Sequence, residues 1–215
     1  MNLRHLPAAF ALLGATAAHA ADGTYADLTS FLAAAGGTSF ESFESLPGRS
    51  RSLAPISTAL LTVSTTSAPI GVQTGADTPD PGYGSHAVDG NHYVSVYLPN
   101  VPQGSIRINF AAPTTAFGLY LTDIGETTGQ IVLSSNVGAF SGGISVEADS
   151  RPDGNTRFLA FTQSQAFTQV TLTVTGVDEA YGLDKVYVSA VPEPASAALF
   201  GLGLVGLWTA GRRRR

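Results

Sequence analysis

The stretch from Gly75 to Asn91 collects Asp77, Asp80, Tyr83, His86, Asp89 and Asn91, with His92 and Tyr93 directly after it. A flat aromatic ring beside hydrogen-bonding carboxylates and amides is what a sugar site requires. Asp77, Tyr83, Asp89 and Asn91 are therefore the candidate ligand contacts, although Asp, Gly and Pro also serve turns. Acid–base catalysis finds less support. A glycosidase holds two carboxylates at a fixed separation across one bond, and no spacing singles out a pair among Glu41, Glu44, Glu126 and Glu147. His86 follows Ser85 directly, which is not the placement of a base and its nucleophile, and no Gly-x-Ser-x-Gly elbow occurs. The sequence reads as a non-enzyme.

The chain has 215 residues, no cysteine and 13% charged residues. Disulfides, thiolate metal sites and cysteine nucleophiles are excluded. Residues 22–190 carry six basic and fifteen acidic side chains, a net charge of −9. Nucleic acid is not a partner for such a surface; divalent cations and neutral glycans are compatible with it. Abundant Gly, Ser, Thr and Ala suit an all-β exported domain.

Both ends differ from the middle. Residues 1–20 have a basic start at Arg4 and His5, an apolar stretch over Ala8–Ala18, and Ala18-His19-Ala20 as a small-x-small cleavage site. This is a secretory signal peptide, with Ala21 as the first mature residue. At the other end Val191, Pro192, Glu193 and Pro194 precede an uncharged run, Ala195–Ala210, and then Gly211 and Arg212, Arg213, Arg214 and Arg215. As a helix the run spans roughly 24 Å, short of the bilayer's hydrocarbon thickness of about 30 Å. The arginines hold its end on the cytoplasmic side. Gly201-x-Gly203-x-x-Gly206 spells a dinucleotide fingerprint, but no strand, helix and acidic residue stand around it, so it carries no nucleotide.

Between the ends, residues 22–36 predict a short helix capped by Asp22 or Thr24. Leu28, Phe31, Leu32 and Ala35 fall on one face, and Gly36-Gly37 stops it. From Thr38 the periodicity becomes two. About ten short strands are expected, among them Thr38–Glu44, His92–Leu98, separate strands near Ile106–Phe110 and Phe117–Leu121, one at Ile144 and Val146, and separate strands at Phe158–Phe161 and Val170–Val174. No helix-length segment interrupts them, which predicts an antiparallel β-sandwich over 21–190.

The tail resembles the PEP-CTERM sorting signal of Gram-negative bacteria: Pro-Glu-Pro, hydrophobic span, arginine cluster, in that order. The resemblance implies recognition and cleavage by the membrane protease exosortase. It implies Sec export, transient anchoring of the precursor in the inner membrane with a periplasmic domain, then a cell-surface or extracellular location. It also implies a matrix or biofilm role beside exopolysaccharide. The body is similar to other exported PEP-CTERM proteins and to the jelly-roll layout of concanavalin-like and carbohydrate-binding domains. The phrases that carry this are Phe43-Glu44-Ser45-Leu46-Pro47, Ala116–Asp123, Phe158–Phe161 and Tyr181-Gly182-Leu183-Asp184-Lys185-Val186. In that layout the Phe-Glu strand and the Gly-x-Asp strand lie side by side. The resemblance then implies a structural calcium ion near Glu44 and Asp184, since calcium takes six to eight hard oxygens. Glu41 is a third ligand only if a bulge turns it to the same face. Asp184-Lys185 departs from the paired acids usual in that last strand. The expected function is a structural or binding role outside the cell. The alternatives are a carbohydrate-binding module using the 75–93 loop and a polysaccharide-active enzyme.

Overall fold

The computed structural model describes residues 21–75, 84–98, 103–124, 131–137, 154–175 and 179–189. The signal peptide, the strand expected at Ile144 and Val146, and the tail with its span at 195–210 lie outside them. Among the described residues no helix is long and apolar enough to cross a membrane.

The chain opens with β1 (Gly23–Tyr25), α1 (Leu28–Ala35) and β2 (Thr38–Glu41). The helix is shorter than the pattern predicts. Its cap is Asp27, whose Oδ1 accepts the Ser30 N–H at 2.9 Å, rather than Asp22 or Thr24. Thr24 is instead in β1, paired with Phe161, and Asp22 accepts the Ser164 N–H. Gly36, at φ 74°, ends the helix as expected.

Next come β3 (Arg49–Ser52), β4 (Ile56–Ser57), β5 (Leu61–Thr65), β6 (Ile70–Thr74) and β7 (His92–Leu98). The last four strands are β8 (Gln103–Thr122), β9 (Ile131–Ser135), β10 (Thr156–Thr175) and β11 (Glu179–Ser189). Every pairing is antiparallel, as the alternating pattern predicts. The strands, however, form a single sheet folded over on itself, and two of them are long.

β8 and β10 each run for 20 residues, where shorter separate strands were expected. Pro113 lies between Phe110 and Phe117, but no Gly, Asn or Asp accompanies it to make a tight turn. The corner is made by slips in register instead. From Thr162↔Ala116 to Phe167↔Thr114, β10 advances five residues and β8 two; from there to Gln169↔Asn109, β10 advances two and β8 five. Each strand thus bulges once, which bends the pair. Phe110, Phe117, Phe161 and Phe167 fill the inside of the bend, with ring centroids 5.2–5.9 Å apart.

Two layers result. In the long layer, the Thr156–Thr162 half of β10 and the Ala116–Thr122 half of β8 continue into β11, β7, β6 and β3, with β1 at the other edge. In the short layer, β4, β5, the first half of β8, the second half of β10 and β9 lie in that order. Leu61, Val63, Ile106, Ile108, Leu133 and Leu172 of the short layer join Val94, Val96, Leu119, Leu121, Leu183 and Val186 of the long one in one buried cluster. At about 1.5–3 kcal/mol for each large apolar side chain buried, this cluster is the main source of stability. A smaller cluster docks α1 on the long layer's outer face, where Phe31 packs on Phe158 and Tyr187.

Candidate functional site

β11 exchanges its neighbour halfway along. β7 pairs with it as far as Leu183↔Val94, and β2 takes over from Val186↔Glu41. Asp184 and Lys185 sit between the two. There β11 also shifts register against β8, and Lys185 is held at φ 46°. The segment 84–92 lies against this irregularity on the long layer's outer side, reaching Asp184 and Thr122.

Two carboxylates clamp that segment. Asp184 is fully buried. Its Oδ2 accepts the backbone N–H groups of Val88 (2.8 Å) and Asp89 (2.9 Å), and its Oδ1 that of Lys185 (2.6 Å). Burial pushes its pKa up to about 6, against the pull of these N–H groups and with a smaller push from Asp89. Glu44 holds the other end, closer to solvent. Its Oε1 accepts N–H from Asn91 (2.8 Å) and His92 (2.6 Å), and its Oε2 lies 3.2 Å from His92 Nδ1. Burial raises the Glu44 pKa, but the His92 and Asn91 contacts outweigh it and bring the group below the ordinary carboxylate value.

Local backbone serves these contacts. Phe43 stands at φ 60° with its ring in the core, which turns Glu44 toward the segment. Glu41 Oε1 accepts the Phe43 N–H at 2.8 Å. Gly90 stands at φ 66°, and a Cβ there would lie 2.5 Å from Glu44 Cδ, so the close approach requires glycine. The start of the segment is fastened separately. Thr122 Oγ1 bonds both His86 N–H and His86 C=O at 3.1 Å. Tyr93 donates its hydroxyl to Ser85 C=O at 2.8 Å. The His86 ring lies between Gly84 C=O (2.9 Å) and Thr156 Oγ1 (3.3 Å). Asp123, buried and at φ 62°, takes the Gly154 N–H at 3.0 Å.

The structure therefore brings Glu44, Asp184, Asp89 and Asn91 to one segment, with His86 and His92. Asp89 and Asn91 contribute chiefly backbone N–H groups; the Asp89 side chain also meets Lys185 at 3.5 Å. Asp77 and Tyr83 lie outside the described residues, as do Val191–Pro194 and Arg212–Arg215. Glu44 and Asp184 accept N–H groups of the 84–92 segment and of Lys185, and Glu41 accepts from its own backbone at Phe43. Among the described residues no three His, Asp or Glu side chains converge as metal ligands. The fastening by Thr122 and Asp123 was not foreseen; its one signal is that the two residues stand at the end of an alternating apolar run.

Residues 190–215 match the family model of the PEP-CTERM protein-sorting motif. The chain thus carries a C-terminal sorting signal of exported proteins. No curated protein matches the chain. Among solved structures, the K2 cleaved adhesin domain of Lys-gingipain is similar at 14% identity and TM-score 0.45, covering 72% of this chain and 100% of its own. TmCBM61, solved with β-1,4-galactotriose, is similar at 16% and 0.39, covering 60% and 88%. A GH87 α-1,3-glucanase catalytic domain, solved with tetrasaccharides, is similar at 16% and 0.34, covering 68% of this chain and 30% of its own. These scores lie below the level of a shared fold.

Proposed function

We propose that the chain is an exported, non-catalytic protein of the cell surface or extracellular matrix. Its precursor crosses by Sec and is held at the inner membrane by the Ala195–Ala210 span. Exosortase cuts it near Pro192-Glu193-Pro194 and releases the jelly-roll-like domain among exopolysaccharide. The sorting motif at 190–215 carries this reading. The use made of the titratable groups supports the non-catalytic part. Asp184 and Glu44 hold backbone N–H groups, His86 lies between Gly84 and Thr156, and His92 pairs with Glu44. Among the described residues, these groups spend their hydrogen bonds within the fold.

A carbohydrate-binding role for the 75–93 loop and an activity on polysaccharide are the rival readings. Incubating the purified protein with a polysaccharide panel separates them: turnover would sink the non-catalytic reading. A glycan array whose signal is lost on changing Tyr83 and Asp89 would move the function to the loop.

A further inference from the structure

The outer face of the short layer differs from the rest of the surface. Its described strands carry no Asp or Glu, and Arg107 is their only charged residue, in a domain of net charge −9. The inward positions are apolar and buried, so the outward ones form a regular polar array. Ser64, Arg107, Thr171 and Ser134 are successive partners across β5, β8, β10 and β9. At strand spacings of about 4.8 Å this row is about 14 Å long. Thr62, Asn109 and Gln169 form the row on one side; Ser105 and Thr173 stand on the other. Neighbours fix one another: Gln169 Nε2 donates to Asn109 Oδ1 at 2.8 Å, and the Ser105 and Thr173 hydroxyls lie 3.1 Å apart.

The array is concave. Ser64, Thr65, Thr66, Ser105, Arg107 and Thr171, with Gln169, line a cleft of about 330 Å³, within the range of about 300–1,000 Å³ usual for ligand sites. Arg107 is exposed, and among the described residues nothing pairs with its guanidinium. A hydroxyl both donates and accepts, which suits a polyhydroxylated ligand. Among the described residues no aromatic ring lines the cleft to give a neutral sugar a stacking platform. The guanidinium fork matches a planar carboxylate in bidentate fashion.

We infer that this cleft binds a carboxylate-bearing polysaccharide of the uronate class, with Arg107 on the acid group and the Ser/Thr rows on the ring hydroxyls. The inference rests on the reading of the chain as an exported matrix protein and gives that role a ligand class and a site. The test is affinity electrophoresis of the full chain in detergent against polygalacturonate, dextran, dextran sulfate and polyglutamate. Polygalacturonate should retard it and dextran should not. Arg107→Ala should weaken retardation about tenfold or more, and Arg107→Lys, which keeps charge but loses the fork, should fall between. Because Arg107 is exposed, the melting temperatures of both variants should match the parent, separating lost binding from lost fold. Absence of polygalacturonate binding, equal binding by Arg107→Ala, or equal retardation by dextran, dextran sulfate or polyglutamate would overturn the assignment. Any of these removes the cleft alone. Failure of the export reading would show as an uncut tail outside the cell.

Discussion

The two outer faces of the folded sheet invite comparison. The long layer's face is covered by α1 and by the 84–92 segment, and it holds Asp184, Lys185 and, on the covering segment, His86, Asp89 and His92. The short layer's face is uncovered by described elements and has one charge, Arg107. Among the described residues, Asp184, Glu44, His86 and His92, which look catalytic or metal-binding, are on the first face, and there they close the fold. The plainer face is the one with an unengaged cation and a cleft. Chemically capable side chains mark function only when their polar atoms are still open to a ligand, and backbone N–H groups can occupy them without any sign in the side-chain pattern.

The comparison breaks most readily at Asp184. Asp184→Ala leaves the partly buried N–H groups of Val88, Asp89 and Lys185 without an acceptor and should cost about 2–3 kcal/mol, read by denaturant unfolding. A loss below about 1 kcal/mol would mean that the segment is not clamped there. Gly90→Ala must fit a Cβ against Glu44 at a left-handed φ, and a cost of about 1–3 kcal/mol is expected. Glu44→Gln, near the surface, should cost about 1 kcal/mol or less and show mainly as faster proteolysis around Asn91.

The pH dependence of the two clamps has opposite signs. Asp184 titrates near 6 in the fold against an ordinary 3.8. Between these values the folded state binds the extra proton, so this group's contribution to stability declines as pH rises from about 4 to 6. Glu44 is shifted down, so its contribution is present at neutral pH and is lost on acidification below its ordinary 4.5. Melting curves from pH 3 to 8 should show the fall between 4 and 6 in the parent and lose it in Asp184→Asn. The smallest expected effect is that of metal: with N–H groups facing both carboxylates, EDTA or added calcium should leave the melting temperature unchanged.

Much of the fold was legible from period-two alternation: the antiparallel sheet, its inward apolar residues and the end of the helix at Gly36. The meeting of the Glu44 and Asp184 regions was expected from resemblance. Three features were not legible. β8 and β10 run through the corner because opposed bulges bend them where sequence rules look for Gly or Asn. The helix is capped at Asp27 because Thr24 is drawn into pairing with β10, a tertiary effect that local propensity does not see. Two of the three partners of Asp184 are backbone N–H groups about 95 positions away, and every residue but proline has one. Arg107 resembles any solvent-facing residue until the register shows that it stands alone among hydroxyls.

We propose that the tail is an address, removed from the sandwich on the way out. Mass spectrometry of the native protein from cell and medium fractions tests it most directly. The medium form should begin at Ala21 and end close to Pro192-Glu193-Pro194, with the longer precursor confined to the membrane fraction. A medium form still ending in Arg212–Arg215 would contradict it.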